Sequence, residues 1–229
     1  MSRIVMIKLE ENIGYTFKDE RLLKIALTHS SYVTEHNLPR TMCNERLEFL
    51  GDSVLETVIR NELCKRFPTE EEGYMTKLKS DIVRCQTLAA VARKIKVGEC
   101  LFLGKGEMKA GSNDRDSILE DAVEAIIGAV FVEAGFYKAQ EVILRIFQES
   151  IEEGIKGNLN NDYKSEIQRL IQKDGTHKIQ YNTIDEYGMS HDKTFIVELC
   201  VDGKRLATGE GKTKKSAENL AAKEAIKKL

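Results

Sequence analysis

Asn44-Glu-Arg-Leu-Glu-Phe-Leu-Gly-Asp-Ser53 opens a helical period that runs to about Phe67 and stops before Pro68. At ~100° per residue, Glu45, Glu48 and Asp52 share one face of that helix, with Leu47, Phe49, Leu50 and Val54 crowded around them. A second run, Ser117-Ile-Leu-Glu-Asp-Ala-Val-Glu-Ala-Ile-Ile-Gly-Ala-Val-Phe131, places Asp121 and Glu124 at i and i+3 on a helix that is apolar nearly all round. Such a helix belongs in the interior of an all-α unit. Like charges at this spacing oppose each other by ~0.2–0.5 kcal/mol even on a solvated helix, and unpaired buried carboxylates cost far more. Neutralisation by lysine or arginine is the usual remedy for an acidic pair. Between them the two runs contain one basic residue, Arg46.

Glu48, Asp52, Asp121 and Glu124, with no histidine or thiolate among them, form an all-oxygen donor set that suits Mg²⁺ or Mn²⁺. A cation held this way acidifies bound water, binds non-bridging phosphate oxygens and stabilises a leaving oxygen. The residues alone lead to metal-dependent chemistry on a phosphodiester or phosphate ester, and no further.

Outward from these runs the front of the chain reads as helical. Leu22, Leu23, Ile25, Ala26 and Leu27 start one segment. Met75–Ile95 gives one or two more, and Ser117–Glu133 and Tyr137–Glu153 complete a bundle. Two glycines and three asparagines between Glu152 and Asp162 mark a linker. Beyond it the period changes: a helix over Asp162–Lys173, strands over Lys178–Ile184, Thr194–Val201 and Arg205–Thr208, and a helix from Thr213 to Leu229. In the last helix Ala217, Leu220, Ala221, Ala225 and Ile226 form the expected buried stripe. The expected domains are therefore an all-α unit over residues 5–153, a linker over 154–161 and an α+β unit of order α-β-β-β-α over 162–229.

The 229 residues are 41% hydrophobic and 31% charged, enough apolar material for a core. No window approaches the ~18 uninterrupted apolar residues of a spanning helix, and the start shows no cleavable signal. Five scattered cysteines without a CxxC pair suggest neither zinc nor disulfides, and a cytoplasmic location is expected. The net charge of −2 argues mildly against a nucleic-acid partner, but residues 203–229 hold eight Lys/Arg against three Asp/Glu. Lys212, Lys214 and Lys215 gather at the start of the last helix, where the macrodipole disfavours each cation by ~0.3–1 kcal/mol. Placement there makes sense if a polyanion docks on that end.

The segment from Asn44 to Ser53 resembles the signature of the ribonuclease III family. Its order, after Ala26-Leu-Thr-His-Ser-Ser-Tyr32 and before Ser117-Ile-Leu-Glu-Asp-Ala-Val-Glu-Ala125, is similar to that of the bacterial enzymes. The resemblance implies an endonuclease domain in which Glu48, Asp52, Asp121 and Glu124 hold Mg²⁺, with Mn²⁺ substituting and no small-molecule cofactor. Asp52 and Glu124 would be catalytic, with Glu45 and Glu72 as secondary acids of the same cleft. It also implies a homodimer spanning a double-stranded RNA, cleavage leaving 5′-phosphates and 3′-hydroxyls with short 3′ overhangs, and work on ribosomal RNA precursors and structured messages. Phe49 reads equally as part of the dimer interface or as core. Glu120 departs from the small residue expected there and, ~100° from Asp121, is expected to point away. Gly104-Lys-Gly-Glu107 reads as a loop, with Lys105 near RNA or simply solvated, and His29 as a hydrogen-bonding residue rather than a base.

The C-terminal order, together with Lys214-Lys-Ser-Ala-Glu218, is similar to the double-stranded RNA-binding domain, which reads A-form shape across two minor grooves. By position Lys212, Lys214 and Lys215 would meet phosphates, Ser165 and Gln168 the 2′-hydroxyls of one minor groove, and His191 the next. Arg169 stands where many relatives carry an acid. Two other classes stay open on the residues alone: an RNA-binding regulator without catalysis, and a scaffold whose acidic helices pair with a basic partner.

Overall fold

The computed structural model describes residues 3–156, 159, 163–188 and 193–229. The chain divides into two units, Met1–Leu159 and Asn160–Leu229.

The front unit is helical: α1 (Arg3–Ile13), α2 (Glu20–Ala26), α3 (Ser30–Glu35), α4 (Glu45–Arg66), α5 (Glu72–Ile82), α6 (Cys85–Lys94), α7 (Lys105–Lys109), α8 (Asp116–Ile146) and α9 (Gln148–Ile155). Helix α4 buries Gly51, Val54, Leu55, Val58, Ile59 and Leu63 along one stripe, the i, i+3, i+4 spacing of an amphipathic helix. It ends where Pro68 pushes Phe67 out of helical geometry, to φ −126° and ψ 65°. Helix α8 is the central element, buried nearly all round from Ile118 to Val130. Its regular geometry breaks at Gly135, with φ 78° and ψ −178°, a conformation open to glycine. Beyond the break Ala139, Val142, Ile143 and Ile146 return to the same core.

Helices α4 and α8 cross at two glycines. A Cβ on Gly51 would lie 1.8 Å from the Glu124 carbonyl oxygen, and one on Gly128 would lie 2.1 Å from that of Leu47. The two backbones therefore touch, and side chains either side of the crossing are brought together.

In the second unit, α10 (Tyr163–Ile171) and α11 (Lys214–Ile226) cover an antiparallel sheet of β1 (Ile179–Tyr187), β2 (Thr194–Val201) and β3 (Lys204–Gly211), in that order. Ile167, Ile171, Leu199, Ala207, Ala221, Ala222 and Ala225 form its core. A Cβ on Gly209 would stand 2.1 Å from the Ala221 nitrogen, so α11 rests directly on β3.

Three local expectations are corrected. Gly104–Glu107 is not a loop; Gly104 precedes the short helix α7. Leu220 is 38% exposed and Ala222 takes its place in the buried stripe, because the helix rests on small residues against β3. Helix α9 continues to Ile155, two residues into the stretch read as linker. All five cysteines are free. Among the described residues no helix is long and apolar enough to cross a membrane.

Candidate active site

The glycine crossing sets Glu48 and Asp52 of α4 alongside Asp121 and Glu124 of α8. The acidic stripe of α4 is longer than its sequence motif suggests, and its ends are neutralised. Arg40 reaches Glu45 at 3.2 Å, while Lys79 and Arg60 each lie 2.6 Å from Glu56, one turn beyond Asp52. These contacts hold the Glu45 and Glu56 carboxyls below the usual range. Glu48 and Asp52, in the middle of the stripe, have no ion-pair partner among the described residues, nor have Asp121 and Glu124. Arg46 is exposed and pairs with none of them.

The physical consequence is a field of uncompensated charge. Burial, then the charges of Glu45, Glu120 and Asp52, raises the Glu48 carboxyl. Burial, then Glu48 and Glu120, pushes Asp121 up to about 7. Burial, then Asp52, Glu120, Glu48 and Asp121, pushes Glu124 up to about 8. Asp52 is the exposed member. Among the described residues no three His, Cys, Asp or Glu side chains converge as a ready ligand set, so the acids share one field without meeting at one point. Their chemistry fits a hard divalent cation: oxygen donors only, Glu48, Asp121 and Glu124 half-buried and Asp52 exposed, with no basic side chain among the described residues to balance them.

Glu120 does not point away. It is half-buried, and its charge acts on Glu48, Asp121 and Glu124. Burial, then the neighbouring Glu120 carboxylate, pushes the Cys85 thiol up to about 12. Helical spacing already held the clue, since Glu120 lies four residues before Glu124, on the same face. Glu72 opens α5 and accepts the Thr76 hydroxyl at 2.5 Å. Its charge is not among those acting on the raised acids. Phe49 is 80% exposed, which removes the core reading. His29 caps α3, its Nδ1 accepting the Ser31 N–H at 3.2 Å. Lys105 is exposed and its backbone N–H donates to Glu35 at 2.6 Å.

Two carboxyls this far raised fix a pH dependence. In the unfolded chain they release their protons near pH ~4, so the folded, metal-free protein retains protons that the unfolded one has lost. The stability this gives is complete below that pH and fades as pH climbs through about 7 and about 8. In EDTA, the melting temperature is expected to fall between about pH 6 and about pH 9, and the fall should be shallower in Glu124→Gln. Thermal melts across that range check this; equal slopes for parent and variant would contradict it.

In the second unit the side chains of Lys212, Lys214 and Lys215 are exposed around the start of α11. Thr213 caps this end, accepting the Ser216 N–H at 3.1 Å. The Lys214 ammonium stands 5.8 Å from the centre of the Phe195 ring, which leaves its charge available at the surface. Gln168 and Arg169 are exposed on α10. The Ser165 side chain and His191 lie outside the described residues.

A ribonuclease-III-like family model matches residues 19–150, and a double-stranded RNA binding motif matches residues 163–229. Ribonuclease 3 of Caldanaerobacter subterraneus subsp. tengcongensis is 45% identical over 221 residues, 96% of each chain. Ribonuclease 3 of Streptococcus pneumoniae is 42% identical over 220 residues, 96% of this chain and 94% of that one. The solved nuclease domain of ribonuclease III from Campylobacter jejuni is 39% identical with a TM-score of 0.60, covering 66% of this chain and 97% of that one. A second structure of that domain, described by its flexibility in a region involved in dimer formation, aligns with a TM-score of 0.58 over 62% of this chain and 95% of its own. With helical nuclease unit, three-stranded unit and relatives matched over nearly their whole length in agreement, the chain belongs to the ribonuclease III family of endoribonucleases and carries a double-stranded RNA-binding domain.

Proposed function

We propose that this endoribonuclease works as a homodimer, requires Mg²⁺ (with Mn²⁺ as a substitute), and hydrolyses double-stranded RNA to 5′-phosphate and 3′-hydroxyl ends. Its cellular work is the processing of ribosomal RNA precursors and structured messages in the cytoplasm. The observation that carries this reading is the unneutralised acid field of Glu48, Asp52, Asp121 and Glu124 between two neutralised flanks.

Those four residues would hold the cation, which when bound supplies charge neutralisation at phosphate and acidification of water. Asp52 and Glu124 take the catalytic roles: Asp52 faces solvent, where a phosphodiester would arrive, and Glu124 lies deeper, its carboxyl pushed up by burial and by the neighbouring acids in the empty site. Glu45 and Glu72 are secondary acids at the rim. The exposed Phe49, one residue from Glu48, favours a partner protomer over it, since a large apolar side chain gains by burial.

An acid field repels RNA, so the attraction must come from elsewhere in the chain. Lys212, Lys214 and Lys215, with Gln168, Ser165 and His191, supply it on the second unit. Removal of residues after Leu159 is therefore expected to weaken capture of a long duplex, increasingly with salt, while cleavage of excess substrate at low salt survives. Incubating both forms with the duplex, with and without Mg²⁺, then sizing products and end groups, tests the whole reading. Loss of cleavage by the truncated form under every condition would sink the division of labour, and Mg²⁺-independent cleavage would sink the metal requirement.

A further inference from the structure

In the second unit, at the end of α11 remote from Lys212, Lys214 and Lys215, lies an open cavity of about 800 Å³. We propose that it is a docking site for a protein segment that presents leucine-like side chains on one face and carboxylates beside them. Its walls are aliphatic: Leu170 and Ile171 at the end of α10, Val201 and Leu206 either side of the β2–β3 turn, and Ile226 and Leu229 where α11 finishes. Leu229 is exposed, and Leu170, Val201, Leu206 and Ile226 are half-buried. Their wetted apolar surface is what a partner would remove from water.

The β2–β3 turn fixes the mouth of the cavity. Asp202 and Gly203 take φ 49° and 78°, the left-handed pair of a tight hairpin. The Asp202 carboxylate accepts the Lys178 N–H at 2.8 Å and pairs with His177 Nδ1 at 2.7 Å. A partner therefore meets a preformed edge and does not have to order it.

Charge then selects the partner. Asp202 is occupied by His177, Lys227 pairs with Glu224 at 2.6 Å, and the Lys228 ammonium donates to the Leu206 carbonyl at 2.9 Å. Lys204 and Arg205 are exposed on the rim and have no ion-pair partner among the described residues. Two uncancelled cations beside aliphatic walls fit an acidic amphipathic segment laid apolar face down. Duplex phosphates would meet the cations but bring no side chains for the walls. The length of α11 also keeps this end about 18 Å from Lys214, so the segment and the duplex can be held together.

The test uses the full chain and, as the probe, a fluorescein-labelled helical peptide with leucines on one face and glutamates between them. Anisotropy titrations compare the parent with Lys204→Glu/Arg205→Glu, a double change confined to exposed side chains. Saturable binding is expected, weakened about tenfold or more in the variant, because two attractions become repulsions. A peptide with serine in place of leucine should bind about tenfold more weakly or worse. Saturating duplex RNA should leave the peptide midpoint within about twofold, and the variant should cleave duplex like the parent. Equal midpoints for parent and variant, equal binding of the serine peptide, or no binding of the probe would each overturn the inference. Displacement of the peptide by duplex, or a matching loss of duplex affinity in the variant, would assign the cavity to RNA and overturn it as well.

Discussion

Glu124→Gln is expected to lower cleavage of an RNA duplex in Mg²⁺ by about a thousandfold while leaving duplex affinity close to that of the parent. Glutamine keeps the size of the side chain and its place beside the α4–α8 crossing, so the fold is retained. What it removes is one of the four proposed anionic donors, which would share in a stabilisation of several kcal/mol at the reacting phosphate, where ~4 kcal/mol corresponds to about a thousandfold. The affinity proposed for Lys212, Lys214 and Lys215 on the other unit is not touched by the change. The same substitution relieves the empty protein of a carboxylate pushed up to about 8, so the metal-free variant should melt higher than the parent above about pH 8. Single-turnover cleavage, duplex binding and melts in EDTA give the three readouts. Turnover within about tenfold of the parent would strip Glu124 of its assigned role.

Gly128→Ala is expected to damage stability and activity together. The new methyl group would sit 2.1 Å from the Leu47 carbonyl oxygen, a backbone atom that cannot swing aside. Overpacking of this kind costs ~1–3 kcal/mol, occasionally more, and at ~2–4 °C per kcal/mol for a protein of this size the melting temperature should drop by several degrees. Moving α8 off α4 also separates Glu48 and Asp52 from Asp121 and Glu124, so cleavage should fall well below the melting range. Gly51→Ala, aimed at the Glu124 carbonyl itself, should behave alike. Gly106→Ala provides the contrast: nothing lies within 4 Å of its added methyl, and a helical Gly→Ala exchange of this type is neutral or stabilising by ~0.4–1 kcal/mol. If Gly128→Ala melted and cleaved like Gly106→Ala, the close crossing would not be what assembles the site.

Strong periodicity made the main elements legible. Helix α4 was expected over Asn44–Phe67 and spans Glu45–Arg66; β2 was expected and found over Thr194–Val201. The break in α8 falls at Gly135, inside the expected gap between Glu133 and Tyr137. Strand β1 runs three residues past the expected Ile184, because a register shift between Thr183 and Asp185 interrupts the alternation that marks a strand, while backbone pairing with β2 continues. Helices α1, α3 and α7 went unread as helices. Two of them are five or six residues long, too short for a period to register.

At the site, the acids were legible because like charges on apolar helices violate a local rule. Their flanking neutralisation was not. Lys79 lies 23 residues from Glu56, and only packing of α5 beside α4 brings them together. Glu120 was misread because it was compared with Asp121, its neighbour in sequence, when its neighbour in space is Glu124. The Gly51–Gly128 crossing leaves no sequence trace beyond two glycines inside helices, where each alone reads as a small loss of helix propensity.

The interruption at Gly135 also solves a problem of length. A straight rod of the 31 residues in α8 would extend ~46 Å, more than the ~40 Å across a globule of about 155 residues. Its far end would overshoot into water, carrying Ala139, Val142, Ile143 and Ile146 with it. One glycine with an unhelical ψ turns the rod back, so that both halves are buried in a single interior. The half that bears Asp121 and Glu124 is thereby gripped at mid-body, and its acids ride on a buried stretch of helix instead of on a protruding tip.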